Sequence, residues 1–211
     1  MGATPAWSVL IVGAATPVGR WVSRALADEG AQLLLTDVTV PHLNEVADEI
    51  AERTGRQPAR RVLRVTDPNS WSAAIEAAEA LFGRLDLIVN AAEFNPAVPW
   101  QEAGPDDWSL SLGINLLGVV HGIAAGLPAL RRSAGAFIVV AVEPSAPSKP
   151  LLSAARSGAL AFAEAIRSEV APEVAVAAVA VTEGDEAQAG GRVISEMRSG
   201  KIAVAADPRS M

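Results

Sequence analysis

Two glycines and an aspartate are the residues whose spacing first suggests chemistry. Gly13 and Gly19 bracket the turn Val12-Gly13-Ala14-Ala15-Thr16-Pro17-Val18-Gly19, and Asp37 stands eighteen residues after Gly19. Glycines in such a turn let the backbone approach a pyrophosphate, and the helix that follows offers N–H groups and a positive dipole end. An acidic residue at the end of the next strand accepts hydrogen bonds from ribose hydroxyls and disfavours a 2′-phosphate, which favours NAD(H) over NADP(H). Pro17 is tolerated in a first helical turn, but it removes one N–H and adds ring bulk where the phosphate would lie. The plainer reading is that the glycines permit a tight turn and Asp37 caps a loop.

Other chemistries find less support. The chain has no cysteine and no tyrosine, so it has neither thiolate nor phenol to offer. His42 and His121 are far apart and have no cysteine partners, which argues against a metal site. Glu183, Asp185 and Glu186 form a short acidic run of the kind that is usually a solvated loop. The five tryptophans are spread along the chain and read as packing residues.

The elements that must position these residues alternate in type. Short apolar runs at Ser8–Val12, Gln32–Thr36, Arg61–Val65, Leu85–Asn90, Ala136–Val142 and Val174–Val181 read as strands. Between them, Val18–Glu29, His42–Arg53, Ser70–Phe82, Asp106–Arg131 and Leu151–Val170 carry helical periodicity. That order predicts an α/β fold with a Rossmann-type, doubly wound parallel sheet, in a single domain over residues 1–211. A seventh strand is expected at Ile202–Ala205.

Composition narrows the function. A net charge of −7, with only Lys149 and Lys201 as lysines, argues against nucleic-acid binding. No signal-like start and no uninterrupted apolar stretch of membrane-span length is evident, so no membrane partner and a cytoplasmic location are expected. Half the residues are hydrophobic, which suits a parallel sheet covered on both faces.

In element order and motifs the chain resembles the short-chain dehydrogenase/reductase family. The resemblance rests on the Gly13–Gly19 turn, on Leu87-Ile88-Val89-Asn90-Ala91-Ala92-Glu93, and on Gly113-Ile114-Asn115-Leu116. It implies vestigial cofactor contacts at Gly13, Gly19, Asp37, Asp67 (beside the adenine ring) and Asn90. Glu93 stands where the family has a glycine beside the cofactor's ribose. The family's four catalytic positions fall on Asn115, Glu143 (or Val142, with Ser145 nearby), Leu152 and Arg156. Of these only Asn115 keeps the family residue. Leu152 replaces a tyrosine that exchanges a proton during hydride transfer, and Arg156 replaces its lysine. The family's C-terminal lid over the substrate is expected to be truncated here.

The resemblance with these substitutions implies a chain that is not an enzyme on its own. The expected role is a non-catalytic subunit supporting an active dehydrogenase of the same family, such as a hydroxyacyl-CoA or ketoacyl oxidoreductase. The alternative is a dinucleotide- or ligand-sensing module without turnover; a new activity using Glu143 and Arg156 is a third reading. No cofactor is expected beyond weakly held NAD. Association, with an active family member or with itself, is expected through Asp106–Arg131 and Leu151–Val170.

Overall fold

The computed structural model describes residues 7–96, 98–143 and 149–198. Six parallel strands lie in the order β3-β2-β1-β4-β5-β6: β1 Ser8–Val12, β2 Gln32–Asp37, β3 Ala59–Val62, β4 Leu87–Asn90, β5 Ala136–Glu143 and β6 Ala175–Thr182. The central strand β1 pairs with β2 on one side and β4 on the other, and all five of its residues are buried. A strand covered on both faces needs an unbroken apolar run, which Val9-Leu10-Ile11-Val12 provides.

Alternation along β1 divides the core in two. Val9 and Ile11 face α1 (Pro17–Asp28) and α2 (Val40–Thr54), where they meet Leu26, Leu43 and Val46. Leu10 and Val12 face the other way, toward Trp71 of α3 (Pro68–Phe82) and the helices that follow β4 and β5. The chain runs from β1 out to β3, then returns to β4 on the far side of β1. The switch point between β1 and β4 is where a doubly wound sheet opens a ligand crevice at its strand C-termini.

Several expected boundaries move. β3 pairs only with β2, opposite Leu34–Asp37, and ends before Leu63 and Val65, which are buried beside the crevice instead of in a strand. The long helix is interrupted: α4 Pro105–Leu112 passes into a π-helical turn, Gly113–Leu117, before α5 Gly118–Ser133. By length and composition alone the run Pro105–Ser133, its glycines and Pro128 included, would also suffice to cross a bilayer; it is the one such helix among the described residues. Val119, Ile123 and Leu130 bury its inner face in the core.

The second long helix, α6 Pro150–Val170, turns Ala155, Ala159 and Ala163 inward. Ala154, Ala161 and Ala165 are exposed. After β6 a 3-10 turn leads into α7, Ala189–Arg198, which lies along α1. Arg198 pairs with Glu29 at 2.5 Å, and Arg192 donates to the Ala180 carbonyl. The strand expected at Ile202–Ala205 lies outside the described residues, and so does Ser145.

Candidate functional site

The crevice begins where β1 ends. Gly13 takes φ +76°, and the Gly13 and Ala14 amides both donate to the Thr36 carbonyl, at 2.9 and 3.0 Å. Thr16 caps α1: its Oγ1 accepts from the Gly19 amide at 3.0 Å and donates toward the carbonyls of Gly13 and Ala91, at 2.8 and 3.2 Å. The two glycines are required by contact. A Cβ at Gly13 would sit 2.5 Å from the Ala92 nitrogen, and one at Gly19 would sit 2.0 Å from the Gly13 carbonyl oxygen. Pro17 occupies the first turn of α1, as its ring geometry allows.

Asp37 is 9 % exposed at the end of β2. Its Oδ2 accepts from the Ala15 amide at 3.1 Å and its Oδ1 from the Thr39 amide at 2.9 Å. The carboxylate therefore ties the glycine turn to the loop after β2, with lone pairs left for a ligand. Asn90 is also buried and uses its Oδ1 to hold the Ala92 amide at 3.1 Å. Asp67 is placed differently from the other expected cofactor contacts. Its carboxylate accepts from the Asn69 amide at 2.9 Å as the N-cap of α3, while Arg64, Val65 and Thr66 line the crevice.

The crevice encloses about 440 Å³ between Gly13, Asp37, Val65, Ala92 and Ile114. His42 and Glu93 are among the residues that line it. Beyond Glu93 the structure closes. Arg156, with 9 % of its side chain exposed, forms an ion pair with Glu93 and donates to the Val142 carbonyl. A void of only about 20 Å³ remains there, bounded by Asn90, Asn115, Val139 and Arg156.

The remaining sequence candidates fall around this closed end. Asn115 lies in the π-helical turn, where it grips the loop after β4. Its Nδ2 donates to the Phe94 and Ser111 carbonyls at 2.7 and 2.9 Å, and its Oδ1 accepts from the Phe94 amide at 3.1 Å. Glu143 is exposed at the end of β5, where its carbonyl accepts from the Glu183 amide at 2.8 Å. Arg156 takes Glu93 as its carboxylate partner, which removes the basis for a Glu143–Arg156 site. Leu152 is buried at the start of α6 and borders a separate apolar cavity of about 150 Å³ with Val98, Trp100 and Leu151.

A nicotinamide dinucleotide fits one half of this arrangement. The adenosine end has a crevice, a carboxylate and a glycine turn. The turn itself has little left to give a phosphate: the amides of Gly13, Ala14, Ala15, Thr16 and Gly19 are spent inside the protein. Pro17 has none, which leaves Val18. The nicotinamide end does not fit as arranged, because the Glu93–Arg156 pair fills it. Sequence reasoning named both residues separately and missed the pair. The signal was present: an added carboxylate and an added guanidinium at two positions facing one site. Among the described residues no three His, Cys, Asp or Glu side chains cluster as metal ligands.

The sequence model of one family, described as short chain dehydrogenase, matches residues 8–188. The chain is 34 % identical over 134 residues to trans-4-hydroxycyclohexanecarboxylate dehydrogenase of Sinomonas cyclohexanicum, covering 61 % of this chain and 52 % of that one. A putative short-chain alcohol dehydrogenase from Sinorhizobium meliloti superposes with a TM-score of 0.76 at 26 % identity, covering 85 % of this chain and 73 % of that one. An NAD+-bound xylitol dehydrogenase shares the fold with a TM-score of 0.75 at 23 % identity, covering 82 % and 69 %. The chain spans about half to two thirds of the length of the curated relatives it matches.

These comparisons correct the expectation that the chain is not an enzyme on its own. Its relatives are named dehydrogenases and oxidoreductases. The expectation rested on the replacements at Glu143, Leu152 and Arg156 taken together, read as loss of function. Leu152 removes a proton donor, but the crevice that would seat a cofactor is still built.

Proposed function

Because the chain belongs to the short-chain dehydrogenase family, we propose that it is an oxidoreductase domain that takes NAD(H) by its adenosine half. The observation that carries this is the crevice at the switch point, closed on one side by the Gly13–Gly19 turn and on another by Asp37. A bound nicotinamide supplies or accepts hydride. Asp37 holds the turn in place and disfavours a 2′-phosphate, and Val65, Leu110 and Ile114 offer an apolar wall to a base. Leu152 has no exchangeable proton; Glu93 is the ionisable side chain common to the crevice and the void beyond it.

Titration with NADH and NADPH, followed by tryptophan quenching, tests the cofactor reading. NADH should bind the more tightly, and Asp37→Ala should erase the difference. Tighter binding of NADPH by the wild type refutes the role of Asp37, and no binding of either refutes the reading as a whole. Turnover of NAD+ with secondary alcohols tests the oxidoreductase assignment, which a clean preparation inactive across such a panel would reject.

The long helices favour a second feature of this reading, assembly with another subunit of the family or with a second copy. Trp108, Leu112 and Leu117 are exposed on the Pro105–Ser133 run, and Ala154, Ala161 and Ala165 on the neighbouring α6. An uncovered apolar surface of this kind is a liability for a monomer. Ala159, within the expected contact helix Leu151–Val170, is buried against the core. Leu117→Glu combined with Ala161→Glu should yield a folded monomer in light scattering. A wild-type protein that is itself monomeric, with and without an intact relative, refutes the association.

A further inference from the structure

The two cavities along the strand ends differ about twentyfold in volume, near 440 Å³ against near 20 Å³, and the Glu93–Arg156 pair stands between them. We propose that the crevice is built for the adenosine-diphosphate part of a nucleotide, and that the Glu93–Arg156 pair withholds the rest of a dinucleotide until it opens. The inference rests on the nucleotide-binding reading above and makes it more specific: ADP-ribose, which has everything but the nicotinamide base, should rival NAD+.

The chemistry of the two ends supports this assignment. At the open end, Asp37 can accept from ribose hydroxyls, the N-terminus of α1 begins beside Thr16 with its positive dipole end, and Leu63, Val65 and Ile114 are apolar. At the closed end no such complementarity is available. Residual space there suits a single water. Arg156 already spends its guanidinium on Glu93 and on the Val142 carbonyl, and 9 % of its side chain is exposed against 31 % for Glu93. A ligand group arriving there must displace a carboxylate from a buried cation, and the nicotinamide ring, cationic in NAD+ and neutral in NADH, offers that guanidinium no negative charge in return. An ADP-ribose moiety that stops at Glu93 leaves the pair intact. Asn115 reinforces the closure by fixing the Phe94 backbone, and with it the short loop that carries Glu93.

Calorimetry with ADP-ribose and NAD+ on the full-length protein tests the proposal. In the wild type, ADP-ribose should bind at least as tightly as NAD+. Glu93→Gln should tighten NAD+ by about fivefold or more while changing ADP-ribose by less than about twofold. Glu93→Gln leaves Arg156 buried without its counter-charge, so the double variant Glu93→Ala, Arg156→Leu is measured beside it and should shift the preference in the same direction. If the wild type binds NAD+ about tenfold more tightly than ADP-ribose, or if both variants leave the ratio unchanged, the proposal fails while the nucleotide-binding reading stands. If neither ligand binds the wild type, both fall.

Discussion

Replacing Gly19 with alanine should damage the crevice more than any exposed substitution, and the size of the damage follows from the geometry of the turn. The new Cβ would lie 2.0 Å from the Gly13 carbonyl oxygen and 3.0 Å from Thr16 Oγ1, whereas unstrained contact begins near ~3.5 Å. Neither neighbour can retreat. Gly13 is itself pressed against the Ala91–Ala92 backbone, and Thr16 Oγ1 is held by Gly13, Gly19 and Ala91. Overpacking of this kind costs about 1–3 kcal/mol, and loss of the Thr16 cap about 1 kcal/mol more. At about 2–4 °C per kcal/mol for a chain of this size, melting should fall by roughly 5–15 °C. Gly191→Ala is the control, because a Cβ there meets nothing within 4 Å. It removes a glycine from α7 and should gain about 0.5–1 kcal/mol, raising melting by ~2 °C. Thermal unfolding followed by circular dichroism decides between the two. A Gly19→Ala protein melting within ~2 °C of the wild type, or a Gly191→Ala protein falling as far as Gly19→Ala, would refute the contact argument.

Asn115→Ala leaves the Phe94 amide and carbonyl without their partner and should cost about 2–4 kcal/mol. Hydrogen exchange at Phe94 should then accelerate ahead of global unfolding, and unchanged protection there would show that the clamp is not what orders the loop. Asp86 is buried and accepts from the Ser8 amide at 3.0 Å and from Arg84 Nε at 2.6 Å; urea unfolding of Asp86→Ala should show a loss of about 2–3 kcal/mol. On the surface, the hydrogen bond from Arg53, aided by its charge and opposed by a smaller effect of burial, holds the Asp28 carboxyl below its ordinary value. A lowered carboxylate pKa contributes stability above the unfolded value that disappears as pH falls through the folded one. Arg53→Gln should therefore move the Asp28 titration upward in NMR and remove a small advantage at neutral pH, leaving stability in strong acid unchanged.

What could be read from the sequence was set by local or symmetric causes. The strand Ser8–Val12 was legible because burial on both faces demands an unbroken apolar run. Gly13 and Gly19 were legible because no other residue fits those contacts. β3 was displaced because Leu63 and Val65, the most apolar residues of the expected strand, lie past its end and pack beside the crevice. The π-helical turn was hidden because it depends on Asn115 capturing the backbone of Phe94, a contact between separate elements. For the same reason the Glu93–Arg156 pair needed the fold before it could be seen: it joins the loop after β4 to the N-terminal third of α6. Asp67 could be read as a ligand contact or a helix cap from its local sequence, and the structure places it as the cap.

Trp100 and Trp108 stack with ring centroids 5.6 Å apart and an interplanar angle of 21°. In a chain with no tyrosine, the near-ultraviolet signal belongs almost wholly to its five indoles. Two chromophores so close couple their transitions, and the pair contributes a circular-dichroism band that depends on its geometry. Trp71, sealed in the core with its indole bound to the Val65 carbonyl at 3.0 Å, contributes a separate and steady signal. Because Trp100 also forms part of the wall of the apolar cavity next to Leu152, a molecule entering that cavity would alter the coupled band and leave the Trp71 contribution as an internal reference. Occupancy of that cavity can thus be followed optically, without a label and before any substrate is known.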